Sequence, residues 1–218
     1  MNDHANHRIE SQSKNPHRRN VYADGEFIVG ISDETLLKSG LRTGDEINVE
    51  QVKALVREEE LSGARKVALR FLAHRPRTAM EVRDRLRAEE FGDGDIEKVI
   101  SDLKKAELVN DAEFARMYIS DALSTKATGK TLLRRKLLLL GVEKGLVDEA
   151  LQKAFASVDE HAEALAAGKK FLKKSTAAHA PANAPRLRQR LASFLGRRGF
   201  TWETVDSVIK ALMKEQEE

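Results

Sequence analysis

Residues 137–154 read LLLLGVEKGLVDEALQKA, and the spacing of apolar side chains in this stretch occurs three times in the chain. Leu137, Val142, Val147, Ala150, Leu151 and Ala154 mark the middle copy. Leu86, Phe91, Ile96, Val99, Ile100 and Leu103 mark the first, and Leu195, Phe200, Val205, Val208, Ile209 and Leu212 the third. The copies start 51 and then 58 positions apart. In each, a helix ends near the leading leucine, a glycine-containing turn follows, and a new helix carries apolar residues at i, i+3, i+4 and i+7. That spacing is one buried stripe at the helical period, and its recurrence is the mark of a repeat architecture. The expected fold is all-α, with tandem three-helix repeats over 65–109, 110–157 and 159–215 in an elongated, curved array.

Composition agrees. Of 218 residues, 33% are charged and only 5% aromatic, a profile of solvated helices rather than sheets. No apolar run reaches the 18 residues that a membrane span needs. The first 20 residues lack the apolar core of a secretory signal, and their polar character predicts a disordered tail over 1–20. Cysteine is absent, which excludes disulfides and thiolate metal sites and fits a reducing, cytoplasmic setting. The net charge of +3 hides a gradient, from an acidic excess in residues 1–60 to a basic excess beyond residue 113. Between Ala164 and Trp202 there are nine Lys/Arg and no Asp or Glu. Such an excess suits phosphates or an acidic protein surface, although a solvated helix face produces the same pattern.

Residues 21–60 differ from the rest. Val21-Tyr22-Ala23 and Phe27-Ile28-Val29 flank Asp24-Gly25, the signature of a tight β-hairpin. Ser32 caps a short helix that Gly40 ends, Gly44-Asp45 precedes a brief strand at Ile47-Asn48-Val49, and a helix runs into Glu58-Glu59-Glu60. A small α+β cap containing a β-hairpin is therefore expected to close one end of the array. Repeat 1 begins at Arg65. Thr78 with Glu81 makes a capping box for its second helix, whose inner side is Met80, Val82 and Leu86. Asn110 with Glu113 makes another box at the start of repeat 2. In the helix from Thr131 to Leu140, six leucines wrap most of the circumference, predicting burial on several sides. In repeat 3 the loop Ser175–Pro185 is expected to be mobile.

Catalytic and metal motifs are missing. There is no GxSxG, HExxH, Walker loop or GxGxxG, and the six histidines are scattered without partners at ligand spacing. An enzyme is not expected, nor any cofactor or metal. Binding remains. A helix pair on a short turn can enter a DNA groove, which makes a helix-turn-helix-like transcriptional regulator the alternative. Yet no helix start carries the Asn/Gln/Arg cluster of a base reader. Trp202 and the Phe residues fall at core spacings, so base stacking has little support from composition.

Ala68-Leu69-Arg70-Phe71-Leu72-Ala73-His74-Arg75 followed by Thr78-x-x-Glu81-Val82 resembles RecX, the bacterial regulator of the RecA recombinase. So do Leu108-Val109-Asn110-Asp111-x-x-Phe114-Ala115-x-x-Tyr118, then Gly129, Leu137 and Gly141-Val142, and finally Arg197-Arg198-Gly199-Phe200. The likeness covers about residues 65–215; it departs at Thr125–Thr128, in the Ser175–Pro185 loop and over the first 20 residues, which are unmatched. The resemblance implies a helical protein without active site or cofactor that lies in the groove of the RecA–single-stranded-DNA filament. There it would modulate, mainly inhibit, ATPase, strand exchange and filament growth. A monomer is expected, with weak direct contact to DNA as a further expectation. Arg134, Arg135, Lys136, Arg186, Arg188, Arg190, Arg197 and Arg198 are the expected contacts to RecA or the DNA backbone. Arg75, Arg77, Arg83, Arg85 and Arg87 form a weaker set, offset by nearby acids.

Overall fold

The computed structural model describes residues 5–13, 15–43, 46–47, 49–176 and 184–214. Residues 1–4, Gly44-Asp45, Asn48 and 177–183 lie outside the described residues, and with them part of the expected tail, turn, strand and mobile loop. The chain divides into two compact units, Met1–Arg75 with Val82–Leu108, and Pro76–Glu81 with Val109–Glu218.

The first unit opens with four antiparallel-paired strands, β1 (Ala5–Gln12), β2 (Asn15–Ala23), β3 (Glu26–Ser32) and β4 (Glu46–Ile47), in the order β3-β2-β1-β4. The expected disordered tail is thereby corrected, since Ile9 sits opposite Val21 and Glu10 opposite Asn20. Polar composition argued for disorder. What it leaves out is cross-strand pairing: Gln12 donates to Asn20 at 2.7 Å, and Arg8 lies over the Tyr22 ring. The hairpin falls where expected, with Asp24 and Gly25 both at positive φ, the requirement of a two-residue turn that follows strand twist. Helix α1 (Asp33–Ser39) is capped by the Ser32 side chain and ended by Gly40 in the left-handed conformation.

Helix α2 (Val49–Leu72) corrects a boundary. The expected cap and the first repeat share this one 24-residue helix, so no linker separates them. Gly63 lies inside it and weakens it locally. The helix persists because Leu61, Ser62, Ala64 and Ala68 are all buried. The Phe91 ring lies 3.5 Å from where a Cβ on Gly63 would sit. Helices α3 (Ala79–Ala88) and α4 (Asp93–Lys105) complete repeat 1. Val82 and Leu86 are buried as expected, but Met80 is 42% exposed.

The second unit holds α5 (Asp111–Thr125), α6 (Lys130–Leu139) and α7 (Lys144–Ala154), then α8 (Glu160–Thr176), α9 (Ala184–Arg197) and α10 (Trp202–Lys214). Pro185 sits in the first turn of α9, where its missing N–H costs nothing. Phe114, Ile119, Leu133, Leu137, Val147 and Leu151 centre one core. Leu172, Leu191, Leu195, Val208, Ile209 and Leu212 centre the other. Of the eighteen positions that define the threefold pattern, all but the half-buried Phe91 and Ala154 are buried. The turn inside each copy is also the same. The N–H of Phe91, Val142 or Phe200 donates to the carbonyl of Leu86, Leu137 or Leu195, at 3.2, 3.1 and 3.4 Å. The preceding residue, Glu90, Gly141 or Gly199, has positive φ, which closes the helix end. Helix α6 departs from expectation. Leu133 and Leu137 are buried, but Leu138 is exposed and Leu139 is 74% exposed, so only one face is enclosed.

A joint recurs within this unit. Asp111, the first residue of α5, accepts the Ala79 N–H through its carboxylate at 2.9 Å; Glu160, the first residue of α8, accepts the Lys130 N–H at 3.0 Å. The Thr78 hydroxyl donates to the Leu140 carbonyl at 2.6 Å, and the Gly129 N–H donates to the Arg198 carbonyl at 2.8 Å. Gly129, Gly141 and Gly199 make the closest approaches, a Cβ on Gly129 lying 2.2 Å from the Gly199 carbonyl oxygen. A Cβ on Gly141 would lie 2.3 Å from the Met80 Cβ, and one on Gly199 2.2 Å from the Leu132 Cβ. Thus the starts of α3 and α6, whose first N–H groups have no helical partner, are satisfied by acids and turn carbonyls contributed by the following repeat.

Candidate functional site

The weaker cation set is engaged by neighbouring acids. Arg83 forms a two-pronged pair with Glu97 at 2.6 and 2.9 Å, which holds the Glu97 carboxyl below its ordinary range. Arg87 meets Asp93 at 3.0 Å, Arg85 pairs with Glu89, and Arg77 meets Glu81 at 3.3 Å. Arg75 is exposed. These partners lie four to fourteen residues away in sequence and neutralise those four arginines locally.

The main set divides. Arg134 is tied to Asp148 of α7 at 2.7 Å, and Arg188 faces Asp206 of α10 at 3.7 Å. Both serve helix packing as well as surface charge. Arg135, Lys136, Arg186, Arg190 and Arg197 are exposed. Among the described residues none pairs with Arg135 or Lys136 through an ion pair. Alternate positions along α9 point apart, as expected of a helix: Arg188 turns to α10, while Arg190 lies over the Phe171 ring of α8 at 5.9 Å.

Helices α8 and α9 carry a feature that spacing did not reveal. Phe171 and Phe194 stack with ring centroids 4.6 Å apart and planes 24° from parallel. Arg198 lies 4.8 Å over Phe194 and donates to the Ala127 carbonyl at 2.9 Å. A cleft of about 400 Å³ opens beside this pair, lined by Lys126, Lys170, Lys174 and Arg198, with Glu163 as its acid among the described residues. Composition hid the pair because two phenylalanines 23 positions apart carry no local signature. Trp202, expected at a core spacing, is 72% exposed instead. Among the described residues no three His, Asp or Glu converge as a metal site, and no helix is long and apolar enough to cross a membrane.

The model of the regulatory protein RecX N-terminal domain matches residues 8–48. Those of the RecX first and second three-helix domains match 64–103 and 110–151. Regulatory protein RecX of Clostridium acetobutylicum is 30% identical over 210 residues, covering 95% of this chain and 96% of that one. The chain belongs to the RecX family. RecX of Bacillus subtilis is 29% identical over 211 residues, covering 97% of this chain and 78% of its own length. A crystal structure of regulatory protein RecX aligns over 94% of this chain and 98% of that one with a TM-score of 0.72 at 20% identity. RecX from Lactobacillus salivarius aligns over 71% of this chain and 97% of its own, with a TM-score of 0.60 at 20% identity. The RecX N-terminal match begins inside β1, in agreement with an ordered start to the sheet.

Proposed function

We propose that this RecX-family protein regulates the RecA recombinase by lying in the groove of the RecA–single-stranded-DNA filament. There it restrains ATP hydrolysis, strand exchange and filament growth, and so tunes recombination and DNA repair. The observation that carries this reading is the ordered match to regulatory protein RecX along nearly the whole chain. It acts in the cytoplasm, as a monomer, by binding rather than by chemistry of its own. Physical support comes from the cations. Arg77, Arg83, Arg85 and Arg87 of repeat 1 are matched by local acids, while Arg135 and Lys136 on α6 and Arg186, Arg190 and Arg197 on α9 face solvent. Exposed cations distributed over repeats suit a long anionic surface bound through many weak contacts.

The helix-turn-helix alternative has less room. The first N–H groups of α3 and α6, and the residues beside them, are taken up by the joint rather than offered to a groove. Steady-state ATP hydrolysis by RecA on single-stranded DNA, with and without this protein, is the test. Inhibition rising with protein concentration is expected. An unchanged rate, or selective binding of one duplex sequence over the filament, overturns the proposal.

A further inference from the structure

The Phe171–Phe194 pair and its cations do not follow from the repeat pattern. All belong to the second unit: α8 supplies Lys170, Phe171 and Lys174, and α9 supplies Arg190, Phe194 and Arg197. The segment between α5 and α6 supplies Lys126, and Arg198 follows α9. Two hollows share Phe171. One, of about 400 Å³, has Lys126, Lys170, Lys174 and Arg198 on its walls. The other, of about 380 Å³, has Gln189, Arg190, Ser193 and Arg197. Arg190 over Phe171, Phe171 on Phe194 and Arg198 over Phe194 place two guanidinium groups against two stacked rings.

A ring beneath a guanidinium holds its position by cation–π attraction, and the guanidinium edge then presents N–H donors suited to phosphate oxygens. Half-buried rings at the hollows offer apolar edges to an unstacked base. From this arrangement we propose that the α8–α9 face is a binding site for single-stranded nucleic acid. Phosphates lie along Lys126, Lys170, Lys174 and Arg197, and bases pack at the Phe171–Phe194 column and its two arginines. A duplex fits less well, because its base faces are already stacked and closed to side chains. An acidic peptide would satisfy the lysines but leave the aromatic column without a role. The site requires no recombinase, and it stands or falls separately from filament regulation.

The test is fluorescence anisotropy of the full chain with a labelled oligothymidylate of about 16 nucleotides, a length that fills a single-strand site. Unlabelled duplex DNA and polyglutamate serve as competitors. Binding is expected to weaken with salt, and Lys170→Gln/Lys174→Gln should flatten the log–log salt slope by about 0.7 for each lost phosphate contact. That double variant should also lower affinity about 10-fold while its circular dichroism stays native. Phe171→Leu and Phe194→Leu should each weaken binding several-fold without changing the slope. Should the Leu variants lose their fold, the surface lysine pair still decides. Native-like lysine variants that bind as the parent chain does, folded Leu variants with no loss, or equal competition by duplex or polyglutamate would each overturn the assignment. Retained oligonucleotide binding with no effect on RecA would instead separate this site from the regulatory proposal.

Discussion

At Glu59 one carboxylate ties three elements together. Its Oε2 accepts from the Ser32 N–H at 2.9 Å, the Ser32 hydroxyl at 3.1 Å and the Thr35 hydroxyl at 2.6 Å, while Oε1 meets Arg18 at 3.0 Å. Only 13% of the side chain is exposed. Burial pushes its pKa up, but the hydrogen bonds from Thr35 and Ser32 and the charge of Arg18 outweigh burial and hold it below 4.5. A depressed carboxyl stabilises the fold above its unfolded pKa, and that contribution fades as pH falls through the lower folded value. Denaturant unfolding should therefore find Glu59→Gln less stable than the parent at pH 7, with the gap narrowing below about pH 4. Glu59→Ala, which strands buried donors, should cost about 2–4 kcal/mol at pH 7. A pH-independent gap would show that shape rather than charge matters there. In the sequence, Glu58-Glu59-Glu60 is an undifferentiated acidic run. Which of the three turns inward depends on where the sheet and α1 lie, and that is a tertiary fact.

Gly199 belongs to the same scale. It combines a φ of 82° with a Leu132 Cβ lying 2.2 Å from where its own Cβ would be. Gly199→Ala should then cost about 2–4 kcal/mol, from left-handed strain plus overpacking, read as a lowered thermal midpoint. Gly196, with open space around its missing Cβ, is the control, and its replacement by Ala should be close to neutral or stabilising. A Gly199→Ala variant as stable as the parent would mean that the turn relaxes away from α6.

At the scale of elements, the threefold pattern at 86, 137 and 195 was legible because buried helical stripes are periodic and burial is what hydrophobicity reports. The caps at Ser32, Thr78 and Asn110 were legible for a related reason, since the signal and its effect lie within three residues. In the Asn110 box only the bond from the Glu113 N–H is realised in that sense, the Glu113 carboxylate being engaged by Arg116. What stayed hidden was long-range. The Asp111–Ala79 and Glu160–Lys130 bonds join residues about thirty positions apart, and the α8–α9 aromatic pair lies across an inter-helix face. The continuity of α2 was hidden too, because the burial of Leu61, Ser62 and Ala64 that carries it across is a tertiary fact. The joint predicts that Asp111→Ala destabilises the second unit by about 1 kcal/mol, the usual cost of losing a cap. Asp111→Asn, which keeps an acceptor, should recover most of it. Hydrogen exchange of the Ala79 amide is the direct measurement; unchanged protection in Asp111→Ala would remove the carboxylate from the joint.

For the whole molecule, the distribution of acid partners ranks the cations. Arg83 and Arg87 are held by Glu97 and Asp93, so their replacement breaks pairs within repeat 1, each worth about 0.2–1 kcal/mol at such partly exposed sites. Under the proposed function, an anionic filament would gain little from charges already neutralised a few ångströms away. Arg135 and Lys136, and Arg186, Arg190 and Arg197, present their charge outward. Under that proposal, Arg135→Glu/Lys136→Glu and Arg186→Glu/Arg190→Glu should thus weaken inhibition of RecA ATPase and flatten its dependence on salt, while thermal midpoints stay near that of the parent. Arg83→Glu/Arg87→Glu should do the reverse, lowering the midpoint with inhibition largely kept at temperatures where the chain is folded. Arg188→Glu, facing Asp206, falls between, because it loses a packing contact and an outward charge together. Equal loss of inhibition from both sets would mean that net charge alone governs binding. A loss confined to Arg83 and Arg87 would place the contact on repeat 1 and overturn the ranking.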